Sequence, residues 1–124
     1  MLVIRDEQQA SIAHARDDER LRQLRVQALA LLDVHWRHQL QNLSVIEKQA
    51  LVERAFEHAW RVKFSSTYEI FTLLNSRVAL GEDFGQDPRC AWARELEQFD
   101  IPAASRSAAL ANHVLLELRR RMGN

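Results

Sequence analysis

Three histidines offer the first candidate chemistry. His35 and His38 stand three residues apart, so on a helix they face roughly the same way, and His58 on the following helix could bring a third nitrogen to a metal ion. No carboxylate stands at a defining spacing from them. An isolated His-x-x-His lacks the outer partners that orient a ligating imidazole, so these read as surface or partly buried histidines. Nucleophilic chemistry has less support still. Ser65 and Ser66 have no His or acid at an interpretable spacing and no strained elbow around them, and Cys90 could meet His113 only through a coincidence of folding. Without a glycine-rich phosphate loop or a paired-carboxylate motif, the sequence predicts no enzyme and no catalytic, cofactor-binding or metal residue.

The most distinctive stretch is Gly81-Glu82-Asp83-Phe84-Gly85-Gln86-Asp87-Pro88, with two glycines and three carboxylates around one phenylalanine. Its acidity suggests a calcium loop, but the alternating ligand positions and closing Glu of an EF-hand are missing. Structurally, Gly81 ends one helix, Phe84 drops into the core, and Asp87-Pro88 opens the next helix as N-cap and first-turn proline. Functionally, it is a shaped acidic loop that could be shown to a partner.

The elements that must hold these residues are helical. Among 124 residues there are three Gly and two Pro, and 47% are hydrophobic against 27% charged, a globular balance free of frequent chain punctuation. Asp6 with Gln9 can cap a first helix. It continues through Leu21, Leu24, Ala28, Leu31 and Leu32 to about His38, with a break conceivable at Asp17–Arg20. Capping boxes at Ser44–Glu47 and Ser66–Glu69 open a second helix, about Val45–Val62, and a third ending at Gly81. Their expected apolar faces are Ile46, Val52, Ala55, Phe56 and Ala59, then Ile70, Phe71, Leu74, Val78 and Leu80. A shorter helix follows through Trp92, Leu96 and Phe99. The last, capped by Ser105, aligns Leu110, Val114, Leu115, Leu118 and Met122. The expectation is an all-α, single-domain bundle of about five helices over residues 1–124.

Charge and cysteine content narrow the setting. Seventeen basic and seventeen acidic side chains cancel, giving no global attraction to a polyanion. The lone Cys90 excludes an internal disulfide framework and suits a reducing cytosol. The Met1–Asp6 start is short for a signal peptide and no run nears the ~20 apolar residues of a membrane span, so a cytoplasmic protein without a membrane is expected. The short Lys63–Ser66 turn between two helices admits a helix-turn-helix, with Thr67 and Tyr68 at the start of the recognition helix. That helix holds Glu69 and a single basic residue, Arg77, which disfavours nucleic acid. Arg119-Arg120-Arg121 suits the negative end of a helix dipole. Trp36, Trp60 and Trp92 are expected as core anchors, although an exposed tryptophan would be an interface hot spot.

Several of these features occur together in a known group. Val3-Ile4-Arg5 with Glu7-Gln8, the Arg-rich first helix, Ala79-Leu80-Gly81-Glu82-Asp83-Phe84, Asp87-Pro88 and Trp92-Ala93 stand in order along the chain. The pattern resembles the small helical accessory proteins encoded beside spike, PAAR and effector genes in bacterial type VI secretion clusters. The resemblance implies a non-enzymatic cytoplasmic co-chaperone, or a regulator of effector loading or release, with an effector adaptor, effector or spike component as partner. Similar sequences often carry Tyr-Gly before the third helix and an aspartate after the loop phenylalanine, where this chain has Val62-Lys63 and Gly85. The expected binding surface comprises Glu82, Asp83, Phe84, Asp87 and Trp92. The alternatives are a small DNA-binding regulator and a self-associating subunit, a homodimer in the simplest case.

Overall fold

The computed structural model describes Leu2–Gly123, with side-chain surroundings from Asp17 onward. Every regular element among the described residues is helical. In order they are α1 (Leu2–His35), α2 (Val45–Arg61), α3 (Thr67–Leu80), a 3₁₀ turn (Phe84–Gln86), a 3₁₀ segment (Pro88–Glu97) and α4 (Ala103–Met122). With the 3₁₀ segment counted as the fourth helix, the described residues have the expected all-α make-up of five helices. The chain forms two compact units, Met1–Asn42 and Leu43–Asn124.

The first unit is built on α1. The helix begins at Leu2 and runs unbroken through Asp17–Arg20, so Asp6 lies inside it; the side chains of the expected Asp6–Gln9 cap lie outside the described residues. Glu19 holds the turn together by pairing with Arg22 and accepting from Gln23 Nε2 at 3.3 Å, neighbours three and four residues on. Leu24, Ala28 and Leu32 form the buried stripe. The helix ends at His35, and Leu40 N donates to Trp36 O at 3.0 Å in the turn that follows.

In the second unit α3 packs against both α2 and α4, and the 3₁₀ segment packs against α4. Both capping boxes form: Ser44 and Ser66 each accept from the backbone N–H three residues on, at 3.1 Å, and Glu47 and Glu69 return the bond. The core joins Leu51, Val52, Ala55, Phe56 and Ala59 of α2 to Ile70, Leu73, Leu74 and Leu80 of α3 and to Leu110 and Val114 of α4. The buried face of α2 is centred near Ala55, and Ile46 and Trp60 lie more than about 100° round the helix from it at 100° per residue. Both are exposed, contrary to expectation, Trp60 at 81%.

Four other expectations are corrected. The segment after Asp87 is a 3₁₀ helix, with Cys90 N donating to Asp87 O at 2.9 Å and a kink at Cys90 (φ −112°, ψ 43°). Phe99 lies beyond that segment and is exposed. Helix α4 starts after the extended Pro102, so Ser105 sits inside it and caps nothing. Its buried face carries Arg106, Ser107 and Glu117 beside Leu110 and Val114, while Leu115 and Met122 are exposed.

Arg106, 5% exposed, fastens the unit internally. Its Nη1 donates to Val62 O at 2.6 Å and Leu96 O at 2.7 Å, and its Nε donates to Ile101 O at 2.8 Å. The guanidinium lies 5.4 Å from the centres of both the Phe64 and Phe99 rings. Burial pushes the nearby Glu69 carboxyl up, but N–H groups of Ser65 and Ser66 and the Arg106 charge together hold it below the usual range.

Candidate protein-binding surface

The Gly81–Asp87 loop is braced internally. Gly81 leaves α3 with φ +100°, a conformation that suits glycine, and Phe84 follows as a buried plug, 1% exposed. Glu82 is gripped by two arginines. Arg54 approaches bidentately, Nε at 2.8 Å and Nη2 at 2.9 Å, while Arg77 Nη2 reaches Glu82 Oε1 at 2.9 Å. The hydrogen bond from Arg54, then that from Arg77, lowers the Glu82 pKa against the opposing effect of burial.

Arg77 in turn donates from Nη1 to His58 Nδ1 at 2.8 Å, because an arginine can only donate. The His58 proton therefore sits on Nε2. Burial first, then the charges of Arg77 and Arg61, pull the His58 pKa down to about 4. The ring is neutral at pH 7 and belongs to a chain running from Arg54 through Glu82 and Arg77 to His58.

Asp87 is occupied in the same manner. It accepts from Arg89 N at 2.9 Å and from Arg89 Nη2 at 2.9 Å, and Arg121 stands 3.6 Å away. The Arg89 side chain and backbone bonds hold its carboxyl down to about 2. The arginines at the end of α4 thus do more than face a helix dipole. Arg120 and Arg121 both pair with the buried Glu117, and Arg120 Nη2 donates to Arg89 O at 3.3 Å.

The aromatic side chains continue the brace. Phe84 lies 6.1 Å from His58 and 5.9 Å from Trp92, and Trp92 stacks on His113 at 4.8 Å with 7° between the planes. His113 Nε2 meets Glu95 Oε2 at 3.2 Å. A polar cavity of about 370 Å³ beside the loop is lined in part by His58, Arg61, Arg77, Asp83 and Arg94.

Of the five residues expected to meet a partner, Asp83 is exposed and Trp92 half-buried, lining a shallow hollow with Arg89 and His113. Phe84 has no surface to offer, and the carboxylates of Glu82 and Asp87 are held by arginines. Among the described residues no three His, Cys, Asp or Glu side chains are grouped to hold a metal ion. No described helix is long and apolar enough to cross a membrane.

An aromatic and basic patch lies instead at the end of α2. Trp60 stands out at 81% exposure, Arg61 is exposed beside it, and Lys63, one turn on, places Nζ 4.4 Å from the ring centre of the exposed Phe99. A Schellman-type ending sets this geometry: Phe64 N donates to Ala59 O at 2.8 Å and Lys63 N to Trp60 O at 3.1 Å, with Lys63 left-handed at φ +62°. The periodicity of α2 places Trp60 off the core face, a signal overridden by the general tendency of tryptophan to be buried. Comparison of the chain with family models, with curated proteins and with solved structures gives no match.

Proposed function

We propose that this chain is a non-enzymatic protein-binding module, acting in the bacterial cytoplasm as a co-chaperone or regulator of effector loading and release in type VI secretion. The observation that carries protein binding is Trp60, a large apolar ring left 81% exposed beside Arg61 and the Lys63–Phe99 pair. Tryptophan and arginine are the side chains that most often dominate interface energetics, and one exposed large ring is more informative than many exposed aliphatic ones. The patch suits a partner segment that combines an apolar side chain with acidic neighbours. The secretion context rests on the Leu80-Gly81 to Asp87-Pro88 and Trp92-Ala93 resemblance.

The helix-turn-helix alternative draws no support from α3. Its single basic residue, Arg77, is buried against His58 and Glu82, so it cannot serve phosphate contacts.

Co-purification of the tagged chain with the products of its neighbouring genes tests the proposal. The expected result is recovery of an adaptor, effector or spike component, lost on Trp60→Ala. Recovery free of every neighbour product, or a complex indifferent to Trp60→Ala, would refute it.

A further inference from the structure

Helix α4 carries a second apolar seam outside its buried face. Ala104, Ala108, Ala111, Leu115, Leu118 and Met122 follow one another at alternating four- and three-residue steps, which keeps them within about 40° of one line along the helix. Ala104 and Ala108 are exposed, Ala111 and Leu118 half-buried, Leu115 47% and Met122 85% exposed. Leu110, Val114 and Glu117 already fill the core side of the helix, so the seam is spare.

We propose that the seam pairs with the same seam of a second copy of this chain, antiparallel, about a two-fold axis that crosses the seam at the level of residue 113. The order of residue sizes supports this partner. The first half is all alanine and the second half all large. In an antiparallel pair Ala104 faces Met122 of the second copy, Ala108 faces Leu118 and Ala111 faces Leu115. Every layer then sets a small side chain against a large one, and the two-fold axis repeats each layer. A parallel pair would set large against large and alanine against alanine, leaving gaps at one end and crowding at the other.

Charge selects the same arrangement. Arg120 and Arg121 are paired with Glu117, so Arg119, exposed beside the seam, is the charge that decides: parallel pairing brings the Arg119 side chains of both copies to one level. Antiparallel pairing separates the two Arg119 residues by about 18 Å at 1.5 Å per residue, well past the ~8 Å screening length of physiological salt. Arg119 then flanks Ser105 of the second copy, and Asn112 flanks its own counterpart.

The size of the seam sets the strength. A helix face ~30 Å long and ~10 Å wide buries about 600 Å² over both copies, below the ~1,200 Å² lower bound of standard stable interfaces. The dimer is therefore weak and concentration-dependent, and the pairing is independent of the Trp60 patch.

Sedimentation velocity on the full chain, from micromolar to near-millimolar concentration, tests it. The expected result is a reversible monomer–dimer equilibrium. Leu115→Asp and Met122→Asp each weaken it by at least about tenfold, the effect of ~1.4 kcal/mol. Leu116→Asp, on the same helix, 60% exposed but off the seam, leaves it unchanged. Met122, at the exposed end of the helix, reports even if the Leu115 variant folds poorly. Leu115→Ala alone also weakens the dimer, and adding Ala111→Leu restores the small-to-large layer and the dimer. A monomer at all concentrations, a dimer that survives both seam variants, a loss caused equally by Leu116→Asp, or a folded exchange variant that stays monomeric would each overturn the pairing.

Discussion

Replacing Arg106 by alanine removes the donors to three backbone carbonyls, those of Val62, Leu96 and Ile101, and takes a cation from between Phe64 and Phe99. A hydrogen bond from a charged donor contributes about 1.5–3 kcal/mol, but three from one guanidinium do not add, and truncation lets some water reach the carbonyls. Losing one partner of a buried charged network costs about 3–5 kcal/mol, and that is the expected loss here. It is a large share of the ~5–15 kcal/mol that holds a typical domain together. Equilibrium urea unfolding followed by far-UV circular dichroism checks it. With a slope of about 1.5–2 kcal/mol per molar urea, the midpoint falls by about 2 M. Arg106→Lys keeps the charge but cannot serve three carbonyls with a planar fork, so it falls between wild type and alanine. A midpoint lowered by less than about 0.5 M in the alanine variant would refute the fastening role, because an effect near 1 kcal/mol is that of an ordinary substitution.

Three further outcomes follow from the loop and its flanks. Glu82→Ala leaves the buried Arg77 without its carboxylate and destabilises by about 2–4 kcal/mol, whereas Arg54→Ala, at the half-exposed end of the same contact, costs less than about 1 kcal/mol by the same urea assay. The folded protein holds His58 near 4 and the unfolded chain returns it to about 6.5, so the unfolded state binds more protons between those values. The stability that depends on neutral His58 is fully present above about pH 6.5 and declines as pH falls toward 4; in His58→Gln this part of the pH dependence disappears, and a wild-type imidazole resonance titrating near 6.5 that is lost in His58→Gln would refute it. Lys63→Gly is more stable than Lys63→Ala by about 1 kcal/mol in thermal unfolding, since both lose the Phe99 contact and only alanine retains the left-handed penalty.

Local signals were the legible ones. Ser44 and Ser66 cap as their spacing to Glu47 and Glu69 predicts, and Asp87 caps ahead of Pro88, because each motif is completed within a few residues. Ser105 misled because any serine near a helix start resembles a cap, while Pro102 with its fixed φ begins α4 three residues earlier. Apolar periodicity located the helices but did not say which apolar residues have a covering partner. Hence Leu115 and Met122 continue an apolar stripe of α4 yet lie outside the core, while Ile46 and Trp60 fall off the buried face of α2 despite their apolar side chains. Within the candidate surface, the acidity of Glu82 and Asp87 was visible in the sequence, but their engagement was only partly so. Asp87 and Arg89 are neighbours along the chain, whereas the Arg54–Glu82 pair spans 28 residues and depends on how α2 lies against the end of α3. The burial of Arg106 and Glu117 likewise depends on tertiary partners that no period encodes.

The kink at Cys90 has a practical consequence. The thiol is the chain's only cysteine, 1% exposed, and burial, followed by the charges of Asp87 and Glu117, raises its pKa. A thiol-specific reagent therefore reacts only after the 3₁₀ segment lifts from α4, and its rate measures that opening directly. Labelling that outpaces global unfolding would mean that the segment between the acidic loop and α4 detaches by itself while the helices remain assembled. The native chain thus carries its own reporter for that step, with no engineered label.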